Sequence, residues 1–203
     1  MKKIVSLLEK INLWYCLFFI TTIIIIFSWF SAGKIISNNS EENLNILSPS
    51  RTAQRYSTFW WPIGTGAKIP FQVSREGVFK ILSSMERINI PTFLIQAIFL
   101  GVIMLIGMIS MFSLTRYGFK FSSFVAGLSS LFYLLNIYSL TQVWKRFLYN
   151  GMISWAYLPL FLLFWLKWIL ENKFKWLFIF VVSSLFFTYT FSNPAYLLTF
   201  WIP

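Results

Sequence analysis

Five stretches of this chain, 11–32, 88–115, 121–144, 147–166 and 176–203, contain no Lys, Arg, Asp or Glu. A bilayer core of roughly 30 Å is crossed by about 20 helical residues, and each run is long enough for that. Backbone amides have no water to bind in hydrocarbon, so such segments must be helices or strands of a closed barrel. The alternating pattern of barrel strands is absent, which leaves helices.

Composition agrees. The chain is 58% hydrophobic and 11% charged, with 24 Phe against 17 Lys and Arg, and its mean hydropathy is +0.70. Soluble domains carry about 25% charged residues. A globule of this size has too little interior to hide so much apolar surface, so lipid is the expected solvent. The sequence predicts an all-α polytopic helical membrane protein with about five spans: TM1 11–32, TM2 92–115, TM3 121–144, TM4 147–166 and TM5 176–203. Residues 1–10 precede the first span, and 33–91 form a long first loop.

The first run exceeds the 7–15 apolar residues typical of a signal peptide, and "WFSAGK" is a poor small-x-small cleavage site. It reads as a retained anchor. With the N-terminus cytoplasmic, that side receives Lys2, Lys3, Lys10, Arg116, Lys120, Lys167, Lys173 and Lys175, as the positive-inside rule requires. Residues 33–91 are then extracytoplasmic, and the protein sits in a plasma (inner) membrane.

Chemistry is bounded by what is missing. There is no His, no Asp and a single Cys16, which excludes a His-based triad, a His-ligated metal and an intrachain disulfide. Acid or base work falls to the glutamates. One carboxylate pair, Glu41 and Glu42, makes a poor metal cage, so no cofactor is expected. The net charge of +11 is distributed around span ends rather than on a soluble basic module, which argues against nucleic acid.

The long loop is patterned. "VSREGVFKILSSM" places Val78, Ile81, Leu82 and Met85 at helical spacing, with polar residues between, and predicts a short helix lying on the membrane surface, apolar face down. "SPSRTAQRYSTF" opens a second short helix, with Ser48 as cap and Pro49 at its first position. Trp60 and Trp61 suit either the aromatic belt of the membrane interface or stacking on a sugar. Among polar groups within spans, Asn136, Gln142 and Asn193 are expected to hydrogen-bond across helices, and Pro159 and Pro194 to kink theirs.

The stretch "AGKIISNNSEENLNILSPSRTAQRYSTFWWPIGTG" resembles the first extracytoplasmic loop of GT-C type polytopic glycosyltransferases, in particular those similar to the N-terminal domain of mycobacterial α-(1→3)-arabinofuranosyltransferases. Counterparts of that pattern are Glu42, Pro49 with Arg51, Tyr56 with Phe59 and Trp60, and Gly64 with Gly66. "LFYLLNIYSL" and "FSNPAY" are similar to signatures of later spans. The resemblance implies transfer of a sugar from a polyprenyl-phosphate donor to a cell-envelope glycan acceptor. It implies Glu42 or Glu41 as general base, because a carboxylate that accepts the acceptor hydroxyl's proton speeds transfer. Arg51, Arg55, Lys145 and Arg146, with Trp60 and Trp61, become candidates for holding the phosphate and sugar.

The sequence departs from that pattern in two ways. Glu stands where the family carries Asp, and the chain stops within an apolar run, as an N-terminal fragment of a longer protein would. Two other functions stay open: a transporter or flippase subunit, disfavoured by the lack of ionisable groups within the spans, and a non-catalytic membrane assembly protein.

Overall fold

The computed structural model describes residues 13–36, 46–57, 70–145 and 149–186. All regular elements among them are helical: α1 (Leu13–Phe30), α2 (Pro49–Ser57), α3 (Pro70–Arg87), α4 (Thr92–Ser113), α5 (Ser123–Leu135), α6 (Tyr149–Glu171) and α7 (Phe174–Phe186). Two π-helical turns, Leu114–Gly118 and Ser139–Trp144, extend α4 and follow α5. Four stretches are long and apolar enough to cross a membrane: Leu13–Phe30, Thr92–Gly118, Ser123–Thr141 and Gly151–Glu171. The chain is a polytopic helical membrane protein. The expected fifth span lies largely outside the described residues; within them α7 starts at Phe174 and its apolar part covers Phe174–Ser183.

α4 is the central post, packed against α1, α5 and α6, while α7 packs on α6. Eleven of its residues are buried, among them Leu100, Met104, Met108 and Phe112. α1 buries only Phe18, Thr22 and Phe30 and leaves Ile24 63% and Phe27 74% exposed. A helix apolar all round with one narrow buried seam is built for a lipid environment. At one end of the bundle the Tyr15 ring meets Phe112 (5.5 Å) and Trp14 meets Phe124 (6.1 Å). At the other, Trp29 meets Trp144 (6.1 Å). α1 is therefore antiparallel to α4, and its C-terminal end lies beside the turn that follows α5.

Two glycines set the spacing. The Trp155 indole rests on Gly107, where an added Cβ would stand 2.4 Å from the ring, and the Trp14 indole rests on Gly127, at 2.1 Å. Small residues at membrane helix contacts let large neighbours pack closely.

The third span is not the continuous helix expected over 121–144. Ser122 caps α5, its Oγ accepting from Val125 N at 3.3 Å. The helix stops at Asn136, whose ψ of 160° is extended. Asn136 Nδ2 donates to Tyr133 O (2.9 Å) and Phe132 O (3.1 Å), while its Oδ1 accepts from Ser139 N (2.9 Å). The side chain competes with the backbone for the helical ladder and replaces part of it. These partners lie within its own span, where bonds across helices were expected. α6 runs through Pro159 unbroken and ends at Glu171, beyond the expected Leu166. There Glu171 accepts from Trp176 Nε1 (2.9 Å) and Lys173 Nζ (3.2 Å).

The same substitution at three glycines tests this packing. Gly107→Ala and Gly127→Ala should each destabilise the protein by about 1–3 kcal/mol, the usual cost of overpacking. Gly77→Ala, on α3 with nothing within 4 Å of the new Cβ, should stabilise it by about 0.5–1 kcal/mol. Unfolding in detergent micelles reads all three.

Candidate functional site

The long loop begins where α1 ends. Gly33 adopts a left-handed φ of +64°, and its N–H returns to Phe30 O (2.9 Å), a conformation that costs glycine nothing. The chain then meets Gln96 of α4. Gln96 Nε2 donates to Ile36 O (2.8 Å) and Ile36 N donates to Gln96 Oε1 (2.9 Å). Gln96 is fully buried. One carboxamide thus satisfies both backbone groups of Ile36, as a neighbouring strand would. Further along the loop, Ile46 is 1% exposed and belongs to the main core. The loop is pinned to the bundle on both sides of 37–45.

α2 and α3 follow as a helical hairpin. Pro49 occupies the first position of α2, as expected. The Ser50 amide, one of the unpaired donors of a helix start, goes to Glu86 Oε2 of α3 at 2.7 Å. Ala53, Phe79, Leu82 and Ile95 form a small second core, with Val78 and Met85 against it. Of the expected apolar face of α3, Leu82 is buried and Val78 and Met85 pack beside it, while Ile81 is 66% exposed. Phe79 and Ser83 are buried as well, because α3 packs on a second helix and on Ile95. α3 extends from Pro70 to Arg87, beyond the expected 73–85. It ends in a Schellman turn, with Asn89 at φ 62°, Asn89 N donating to Glu86 O (2.9 Å) and Ile90 N to Met85 O (3.2 Å). That turn and Pro91 redirect the chain into α4.

Between α2 and α3 lies a cleft of about 350 Å³ lined by Ser50, Arg51, Ala53, Gln54, Lys80, Ser83 and Arg87. Of the expected phosphate-holding residues, Arg51 is here, joined by Lys80 and Arg87, which sequence reasoning did not select. Arg55 lies on α2, but its side chain is outside the described set, as is that of Gln142. Glu41, Glu42, Trp60, Trp61, Arg146, Asn193 and Pro194 lie outside the described residues. Lys145 closes the second π-helical turn, its N–H donating to Leu140 O at 3.0 Å.

The same end of the bundle holds an aromatic and polar network. Tyr133 stacks on Trp155 (centroids 4.7 Å apart, 5° between planes), and Trp144 meets Trp155 edge-on at 5.0 Å. Tyr133 OH donates to Trp155 O (2.7 Å), Trp155 Nε1 to Ser139 Oγ (2.9 Å), and Ser139 Oγ to Tyr133 O (2.6 Å). Each polar atom is paired, so the network fixes the broken third span against α6. A Tyr, a Ser and a Trp scattered over two apolar runs carry no sequence signal for this. Gln96 does carry one: it is the sole side-chain amide in the second span, 92–115.

Among the described residues, no three His, Cys, Asp or Glu side chains gather to hold a metal ion. No protein-family model matches this sequence, and no curated protein or solved structure matches it.

Two substitutions check the pinning. Gln96→Leu leaves the Ile36 amide and carbonyl without their partner, at about 1–3 kcal/mol for each group that stays unsatisfied; hydrogen exchange at Ile36 should accelerate. Glu86→Ala removes the acceptor at the start of α2 and should cost about 0.5–2 kcal/mol, the usual loss for a helix cap, with faster exchange confined to α2 and α3.

Proposed function

We propose that this chain is a GT-C-like glycosyltransferase, or the N-terminal portion of one, moving a sugar from a polyprenyl-phosphate donor to a cell-envelope glycan acceptor. The observation that carries the reading is the double anchorage of 37–45, the segment holding both candidate carboxylates. Ile36 is clamped by Gln96, and Ile46 is buried in the core. Glu42 stands four residues before Ile46 in the sequence. A carboxylate on a stretch tied to a lipid-embedded bundle at both of its ends is suited to meet a lipid-linked substrate at the interface.

In the reaction, Glu42 or Glu41 accepts the proton of the acceptor hydroxyl as that oxygen bonds to the anomeric carbon. The bond from that carbon to the donor phosphate breaks, and the phosphate leaves with the electron pair. Cationic side chains stabilise the developing charge, and Arg51, Arg55, Lys145 and Arg146 are the candidates. Trp60 and Trp61 offer rings for the sugar.

Orientation belongs to the same reading. Arg116, Lys120, Lys167, Lys173 and Lys175 sit at the end of the bundle opposite the α2–α3 hairpin, by the alternation of spans. With Lys2, Lys3 and Lys10 they put the cytoplasm there. The hairpin then faces outward, in a plasma (inner) membrane.

Transfer from labelled polyprenyl-phosphate sugars to glycan acceptors tests the chemistry. Glu42→Gln or Glu41→Gln should lower the rate about 10²–10⁴-fold, the usual contribution of a general base. Wild-type rates in both variants would remove the carboxylate role and leave a non-catalytic membrane protein as the better description. For orientation, a membrane-impermeant thiol reagent should label Gln54→Cys in intact cells and leave Lys120→Cys unlabelled.

A further inference from the structure

We propose that α3 lies in the bilayer interface, with Ile81 and Ile88 sunk at the headgroup–acyl boundary of the leaflet beside it. The two are 66% and 70% exposed. Ile88 follows the last residue of α3, and a spacing of seven leaves the pair within about 20° of each other around the helix. Lys80 and Arg87, each one residue earlier, stand about 100° away, on the cleft shared with α2. The long way round from those cations come Ser83, Phe79 and Leu82, all buried. Next come Val78 and Met85, packed against the hairpin core, and then the two isoleucines. The apolar arc of α3 therefore runs on past the protein core. Val78, Leu82 and Met85, expected to face the membrane, pack with Ala53 of α2 and Ile95 of α4 instead, and the isoleucines extend their face beyond that contact.

The level of the hairpin follows from α4. Its core contains Ile95, with Phe99 packed against it, and both belong to the apolar stretch Thr92–Gly118. That stretch has 27 residues, about 40 Å at 1.5 Å per residue. A bilayer measures about 40–45 Å with its headgroups, around a hydrocarbon core of roughly 30 Å. Hydrocarbon then begins about 5 Å past Thr92, near Ile95, and Phe99 stands about 10 Å past it. α3 packs beside both residues, so it rests where headgroups give way to acyl chains. The flank of α4 next to this contact faces lipid, with Ile98 39% and Val102 48% exposed. The lipid-facing surface of the span thus borders the hairpin, and insertion of Ile81 and Ile88 removes both from water. The inference goes beyond the transferase reading: it involves no chemical step and holds equally for a non-catalytic membrane protein.

Spin labelling of the full-length protein in liposomes tests it, on a Cys16→Ser background that removes the single native thiol. Labels at Ile81→Cys and Ile88→Cys should collide with dissolved oxygen and be shielded from a water-soluble nickel chelate. At Lys80→Cys and Arg87→Cys the oxygen-to-chelate collision ratio should be roughly fivefold or more lower, as a helix sunk about 5–10 Å on one side requires. Circular dichroism checks that each variant keeps its helix content. Equal chelate access at the isoleucine and the cation positions would overturn the proposal and put α3 in water. So would shielding of the isoleucine labels from both reagents, the mark of a protein surface, such as a second copy of the chain, covering them.

Discussion

One buried side chain ties the start of the long loop to the membrane bundle. Gln96, buried in the central helix, holds both backbone groups of Ile36, three residues past the glycine that ends the first span. In a lipid-facing protein an unpaired amide is costly, and an unpaired backbone group is equally so. The two problems cancel here, since the carboxamide has one acceptor and two donors in a plane that matches an extended chain. The loop consequently leaves the bundle from a fixed point. Ile46 supplies a second fixed point through apolar burial, so a hydrogen-bonded clamp and a hydrophobic plug bracket the segment carrying Glu41 and Glu42.

Interior packing follows the logic of membrane helices, with shape rather than exclusion from water bringing them together. Trp14 and Trp155 are large, and each is accommodated where a glycine on the facing helix removes a side chain. The break at Asn136 serves the same end. It frees Ser139 to accept from Trp155 and lets Trp144 reach both Trp155 and Trp29, linking the third span to the first and the fourth. The broken helix costs backbone hydrogen bonds, and Asn136 returns several of them through its own amide.

Much of the architecture is legible in the runs of uncharged residues, because the length of a span is dictated by bilayer thickness. The start of α2 was readable from Ser48 and Pro49, and its observed first residue is Pro49. Periodicity at α3 picked out Val78, Leu82 and Met85, which pack in the hairpin, but not Phe79 and Ser83, which are buried there too. A helix packed on another helix turns toward that partner, and the partner's position is not encoded within the 13 residues that were read. Arg51 was identifiable from its place after Pro49. Lys80 and Arg87 were not, since they come to the same cleft only when the hairpin closes.

The sequence by itself determined the solvent and the secondary structure: a chain this apolar must dissolve in lipid, and lipid leaves its backbone no choice but helices. It also limited acid–base chemistry to glutamate, through the plain lack of His and Asp. Tertiary structure alone decided that Gln96 meets Ile36, that Glu86 closes the start of α2, and that Arg51 shares a cleft with Lys80 and Arg87. Hydropathy acts residue by residue, whereas these contacts join positions about 30 to 60 apart and exist only after the helices have packed.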